Sequence, residues 1–195
     1  MKYSIEVISE SSPEWIEAVM ADFPSFLQDH ADCERKASAM AMSLIAKYPD
    51  RELIIPDMID TALEEMEHFQ QVYQIMQQQG VRLPGKMEPD LYVHQLMNEA
   101  KGGSADSRFL IRLLLGSVIE CRGCERFKLV AEHIEDPELK RFYKELWVSE
   151  AKHGNIYAKL ALHYFDEELV YSKLDELMHK EAEILKGLKI RSALH

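Results

Sequence analysis

Apolar residues recur at intervals of three and four along almost the whole chain, and strand-like alternation appears only at Tyr3, Ile5 and Val7. The pattern predicts an all-α protein. A short helix is expected around Trp15, Ile16 and Val19. A long helix then opens near Pro24, with Asp22 as its cap, and covers 24–47 before the turn signal Tyr48-Pro49-Asp50. A second covers 56–79, because Pro56 suits a first helical position and Gly80 permits a left-handed stop.

The stretch from Gly80 to Ser104 contains Pro84, Gly85, Pro89, Gly102 and Gly103, with a short helix expected over Leu91 to Ala100. It is too long for a tight hairpin and suits a crossover that returns the chain along a bundle, so that the second and third core helices run parallel. Two further core helices are expected at 105–134 and 137–164. The second of these starts at Asp136-Pro137-Glu138, an acidic cap, a proline at the first position and a carboxylate near the positive helix end. A C-terminal helix follows at 167–188. The expected architecture is a four-helix bundle with a crossover and additional N- and C-terminal helices, in a single domain over 1–195.

Composition narrows this picture. At 195 residues, 47% hydrophobic and 29% charged, with only 8 Gly and 7 Pro, the chain has material for one sizeable core and none of the bias of disorder or a turn-rich β fold. A net charge of −11 argues against wrapping nucleic acid through bulk positive charge. A local basic patch remains open, and the densest is Lys180, Lys186, Lys189 and Arg191, which otherwise simply solvates the last helix. Three cysteines, an N-terminal stretch without the apolar core of a signal peptide, and a longest apolar run of seven residues (Leu113 to Ile119) lead to the expectation of a cytoplasmic protein with no membrane span.

Candidate chemistry lies in Glu-x-x-His, a spacing that places carboxylate and imidazole on one helical face where both can bind one metal ion. With 23 Glu and 8 His, about one match is expected by chance, and the chain has three: Glu65/His68, Glu150/His153 and Glu176/His179. The neighbours at helical spacing separate them. Glu65/His68 lies with Met58, Ala62, Phe69 and Val72, and Glu150/His153 with Tyr143, Leu146, Trp147, Tyr157 and Leu160, so both pairs face the core. Glu176/His179 lies with Ser172, Lys173, Lys180 and Glu183, a solvated face.

A carboxylate in an apolar stripe is costly unless a cation or hydrogen bonds compensate it. The same test finds Glu34, among Leu27, Ala31, Ala37, Ser38, Ala41 and Ile45, and Glu120, among Leu113, Gly116, Ser117, Gly123, Cys124 and Phe127. Glu125 shares its stripe with Arg122, Lys128 and Glu132 and reads as solvated. In an antiparallel hairpin, residues equidistant from the turn lie level. The midpoint of Glu34 and Glu65 falls at Pro49-Asp50, and that of Glu120 and Glu150 beside Asp136-Pro137. The chain therefore reads as two copies of Glu…Glu-x-x-His. Four carboxylates are neutralised by two divalent cations, and an oxygen and nitrogen donor set without thiolate suits iron or manganese.

Other residues near this set have two readings each. His30, one turn before Glu34, either orients a ligand or is a hydrogen-bonded structural histidine. Cys121 and Cys124 form Cys-x-x-Cys in mid-helix, where small core residues are the commoner use and redox or metal work the alternative. Tyr143, Trp147 and Tyr157 fill the core or wall a substrate pocket.

The segments FLQDHADCERKA (26–37), EEMEHF (64–69), IECRGCERF (119–127) and SEAKHG (149–154) resemble the MiaE family, the tRNA 2-methylthio-N6-isopentenyladenosine hydroxylases of the ferritin-like diiron superfamily. The resemblance implies a ferritin-like domain and an oxygen-dependent monooxygenase. Its substrate would be a prenylated, methylthiolated adenosine in tRNA next to the anticodon. It implies two iron ions, with manganese as a possible substitute, held by Glu34, Glu65, His68, Glu120, Glu150 and His153. It further implies O2 as co-substrate, the tRNA anticodon arm as partner and a separate reductase as electron donor. A ferritin-like iron oxidase or rubrerythrin-type peroxidase would use the same six residues, and a structural helical adaptor would use none.

Overall fold

The structure is a computed structural model that describes residues 5–101 and 103–195. Tyr3 and Gly102, used in the readings above, lie outside the described residues. The described elements are helical: α1 (Pro13–Ala21), α2 (Phe23–Lys47), α3 (Ile55–Gln78), α4 (Leu91–Glu99), α5 (Ala105–His133), α6 (Pro137–Ala161) and α7 (Glu167–Gly187), with a 3-10 turn at Glu52–Ile54. No strand forms among the described residues, so the alternation at Ile5 and Val7 is not realised as one. No described helix is long and apolar enough to cross a membrane.

Local signals place these ends. Asp22 accepts a hydrogen bond from the Ser25 amide at 3.2 Å, Ser104 from the Ser107 amide at 3.1 Å, and Asp136 from the Glu138 and Leu139 amides at 2.8 and 3.0 Å. Gly80 takes φ +71°, the left-handed conformation that terminates α3. Helix α6 stops at Ala161, short of the expected 164, because the amides of His163 and Tyr164 turn back three residues, onto the carbonyls of Leu160 and Ala161.

The chain forms two compact units. One comprises 13–89 with 190–194. Its centre is the hairpin of α2 and α3, closed by Phe26, Leu27, Ala31, Ala41 and Leu44 against Met58, Ala62, Val72 and Met76, all buried. Helix α1 packs on α2 through an edge-on contact of Trp15 with Phe26 at 6.3 Å. The Trp15 indole N–H donates to the Ala193 carbonyl at 3.0 Å, and Asp29 accepts from the Leu194 amide at 2.8 Å, which fixes 190–194 to the same unit.

The other unit comprises residues up to 12, 90–189 and 195. Its centre is the hairpin of α5 and α6, with Leu113, Phe127 and Val130 buried against Tyr143, Leu146, Tyr157 and Leu160. Gly116 admits the Tyr157 ring: a β-carbon there would lie 2.7 Å from it. Helix α7 packs on α5, and α4 contacts both.

Candidate metal centre

In the first unit, Glu34 on α2 and Glu65 and His68 on α3 are buried, at 3, 0 and 9% exposure. His68 Nδ1 lies 3.7 Å from Glu34 Oε2 and 3.5 Å from Glu65 Oε2. In the second, Glu120 on α5 and Glu150 and His153 on α6 are buried, and His153 Nδ1 lies 3.3 Å from Glu150 Oε2. Within each trio, one ligand atom from every residue falls within 4.8 Å of the others. Each hairpin thus brings its own Glu and Glu-x-x-His together, as the equal spacing about each turn predicts. The donor sets are alike: two carboxylates and one imidazole, carrying two formal negative charges in a buried setting. One divalent cation per trio neutralises that charge, and oxygen and nitrogen donors match iron or manganese. The residues present therefore fit a metal ion in each unit.

His30 makes the buried hydrogen bond that both of its readings require, and its partner is the proposed ligand Glu34. Fully buried against Phe26, it hydrogen-bonds Glu34 Oε1 through Nε2 at 2.6 Å, leaving Oε2 toward His68. Such a partner fixes a carboxylate's rotamer before any metal arrives.

Two serines tie the helices of each hairpin beside these trios. Ser38, one turn past Glu34, donates to the Ala62 carbonyl at 2.8 Å, and Ser117, one turn before Glu120, donates to the Gly154 carbonyl at 2.7 Å. Both are buried. Ser38 and Ser117 stood in the apolar stripes of the sequence, but only the cross-helix acceptor reveals their use.

Glu176 and His179 lie on the exposed face of α7, with side chains 66 and 63% exposed, where Glu176 pairs with Lys173 and His179 bonds its own helix at the Asp175 carbonyl. The expectation of a solvated face fails for Arg122 and Glu125. Arg122 is fully buried and binds Glu181 through Nε and Nη2 at 2.8 and 3.0 Å, Glu125 at 3.0 Å and the Ser9 carbonyl at 2.7 Å. Ser11 donates twice to Glu125 at 2.8 Å, and Tyr92 donates to Glu181 at 3.1 Å. Burial opposes the charged guanidinium, yet the hydrogen bonds and charge of Glu181 outweigh it and raise the Arg122 pKa. Residues 5–12, α4 and α7 form a second layer over α5, which a test of one helix face does not see.

Cys121 donates to the Ile5 carbonyl at 3.0 Å and Cys124 to the Trp147 carbonyl at 3.5 Å. Burial, chiefly, pushes their thiols up to about 12 and about 11, so both are protonated and weakly nucleophilic at neutral pH. Tyr143 and Tyr157 are fully buried, whereas Trp147 is half-buried with the Lys128 ammonium 5.5 Å over its ring. In the C-terminal basic group, Lys180 pairs with Glu183 at 3.4 Å and Arg191 with Asp29 at 3.5 Å.

Helical hairpins carrying buried carboxylate and imidazole trios define the ferritin-like class of metal-binding protein, and solved structures agree. A protein with aldehyde deformylating oxygenase activity from Synechococcus superposes with a TM-score of 0.91 at 31% identity, covering 98% of this chain and 96% of its own. The model of the tRNA-(MS[2]IO[6]A)-hydroxylase family, MiaE, matches residues 3–195, and the chain belongs to that family. A tRNA 2-(methylsulfanyl)-N(6)-isopentenyladenosine(37) hydroxylase from Pseudomonas putida is 37% identical over 173 residues, 89% of this chain and 83% of the relative. A hydroxylase of the same description from Salmonella typhimurium is 26% identical over 196 aligned positions, covering 76% of this chain and 71% of the relative.

Proposed function

We propose that this protein is the non-haem diiron monooxygenase that hydroxylates the isopentenyl group of 2-methylthio-N6-isopentenyladenosine in tRNA, next to the anticodon. The observation that carries this reading is the duplicated trio, Glu34, Glu65 and His68 in one unit and Glu120, Glu150 and His153 in the other, in a chain of the MiaE family. These six residues hold two iron ions, for which manganese is a substitute that the same oxygen and nitrogen donors accept. When bound, the iron supplies the activation of O2 with two electrons from a separate reductase. The setting is the cytoplasm, where tRNA is found.

The chain's own contribution is positioning and exclusion of water. His30 holds Glu34 at a fixed rotamer, and Ser38 and Ser117 hold the level of each helix against its partner. Five of the six proposed ligands are at most 5% exposed, which keeps bulk water from these side chains. Buried aromatic rings such as Tyr143 and Tyr157 supply the apolar surroundings that a prenyl chain prefers.

The test uses bulk tRNA from cells that make the prenylated, methylthiolated adenosine but lack the hydroxylase. Iron-loaded protein given O2 and a two-electron donor is expected to convert that nucleoside into a species heavier by one oxygen. Unchanged nucleosides with rapid consumption of peroxide would reject the reading in favour of a rubrerythrin-type peroxidase.

A further inference from the structure

Resting on the hydroxylase reading, the geometry points to the outer face of α6 as the surface that receives the tRNA backbone. A chain of net charge −11 must confine its attraction for a polyanion to a local surface. Arg141, Lys144, Val148, Lys152, Asn155 and Lys159 follow one another at intervals of three and four, so they form one stripe along α6. All but half-buried Asn155 are exposed, and exposed His163 continues the line past the helix end. From Arg141 to Lys159 the stripe rises about 27 Å, enough to follow several successive phosphates.

The distribution of acids singles this face out. Glu138 and Glu145 are the exposed acids of α6, against Arg141, Lys144, Lys152 and Lys159 and the flanking Lys140. Arg141, Lys144 and Lys159 make no ion pair among the described residues, so no internal carboxylate must be displaced before they meet phosphate. Lys128 on α5, over the Trp147 ring, adds a cation beside the middle of the stripe. Helix α7 offers the reverse: Glu167, Glu168, Asp175, Glu176 and Glu183 are exposed, and Lys173 and Lys180 are paired with acids. Helix α3 contains no lysine or arginine and exposes Asp60 and Glu67.

The inner face of α6 carries Glu150 and His153, and the width of a helix is about 10 Å. Backbone held along the outer face therefore runs along the helix that supplies two of the proposed ligands, about one helix width from them. Phosphate contacts of this type fix register without reading sequence.

The experiment measures binding of a prenylated anticodon stem-loop to the full chain by fluorescence anisotropy over a series of salt concentrations. The triple variant Lys144→Ala/Lys152→Ala/Lys159→Ala is compared with Lys173→Ala/Lys180→Ala/Lys186→Ala on α7. The α6 variant is expected to bind at least tenfold more weakly and to lose about three units of the salt slope, with iron content and circular dichroism unchanged, while the α7 variant binds like the parent. An α6 variant with the parent's affinity and slope would overturn the proposal. So would one that binds tRNA normally but loses turnover only with an acidic electron-transfer protein and not with dithionite, since the face would then serve the donor. If the parent itself binds no tRNA, the hydroxylase reading fails, and not merely the choice of face.

Discussion

The Ser117 hydroxyl donates to the Gly154 carbonyl across α5 and α6 at 2.7 Å, one turn before Glu120 and one residue after His153. At this point a β-carbon on Gly154 would sit 3.5 Å from the Ser117 carbonyl oxygen and 3.6 Å from the Glu120 β-carbon, so the two helices approach closely beside the proposed ligands. Apolar packing is non-directional and resists sliding weakly, whereas a buried hydrogen bond specifies both distance and angle. Ser117→Ala is expected to cost about 1 kcal/mol of stability, the ordinary value of such a bond. It is also expected to weaken Fe(II) or Co(II) binding about tenfold, as losses of ligand-supporting contacts do. Melting curves and cobalt titration measure the two effects separately. A variant that melts earlier but binds cobalt like the parent would show that the bond stabilises the hairpin only. Ser38→Ala makes the parallel test in the other unit, where Ser38 donates to Ala62.

Gly116 is a packing position. With a β-carbon 2.7–2.8 Å from three atoms of the Tyr157 ring, Gly116→Ala forces the ring or helix to shift. The expected cost is about 1–3 kcal/mol, the usual range for overpacking. Pairing it with Tyr157→Leu, which removes the ring, should recover part of the loss. If Gly116→Ala melts with the parent, Tyr157 moves freely and the close fit has no energetic consequence.

The ligand assignment separates residues that look alike in sequence. Glu34→Ala, Glu120→Ala and His153→Ala are expected to abolish stoichiometric iron binding after anaerobic loading. Glu176→Ala and His179→Ala, on the exposed face of α7, should leave it unchanged. Glu125→Ala should keep iron but lose stability, because Ser11 and Arg122 then lack their acceptor. Iron analysis of the folded variants decides between these outcomes, and loss of iron from Glu125→Ala with retention in Glu120→Ala would reverse the assignment on α5.

Much of this was legible from local chemistry. Asp22 and Asp136 bond the first turns of their own helices, and the equal spacing of Glu34/Glu65 and Glu120/Glu150 about their turns needs nothing beyond helix geometry. Burial of the six residues followed from apolar neighbours three and four positions away. The network around Arg122 was not legible in that way, since its partners Ser9 and Glu181 lie 113 and 59 residues distant. Charged neighbours on one helix look the same whether water or another layer of protein covers them. The uses of Ser38 and Ser117 were hidden for a related reason: a serine in an apolar stripe reads as a small residue until its acceptor on the opposite helix is known.

That hidden network makes the sharpest stability prediction. Arg122 and Glu181 are both fully buried, joined by two hydrogen bonds at 2.8 and 3.0 Å, and Glu181 also accepts from Tyr92. Removing one partner strands the other's charge in a low-dielectric interior, so Arg122→Met alone is expected to cost about 3–5 kcal/mol. Removing both should cost much less: Arg122→Met combined with Glu181→Leu replaces an ion pair with apolar groups, and pairs so replaced are often neutral in stability. The residual loss then reports the bonds to Ser9, Glu125 and Tyr92. Chemical denaturation of the two single variants and the double variant gives the coupling directly. Additive losses would show that the guanidinium is stabilised by Ser9 and Glu125 rather than by Glu181, and that α7 is not clamped to α5 through this pair.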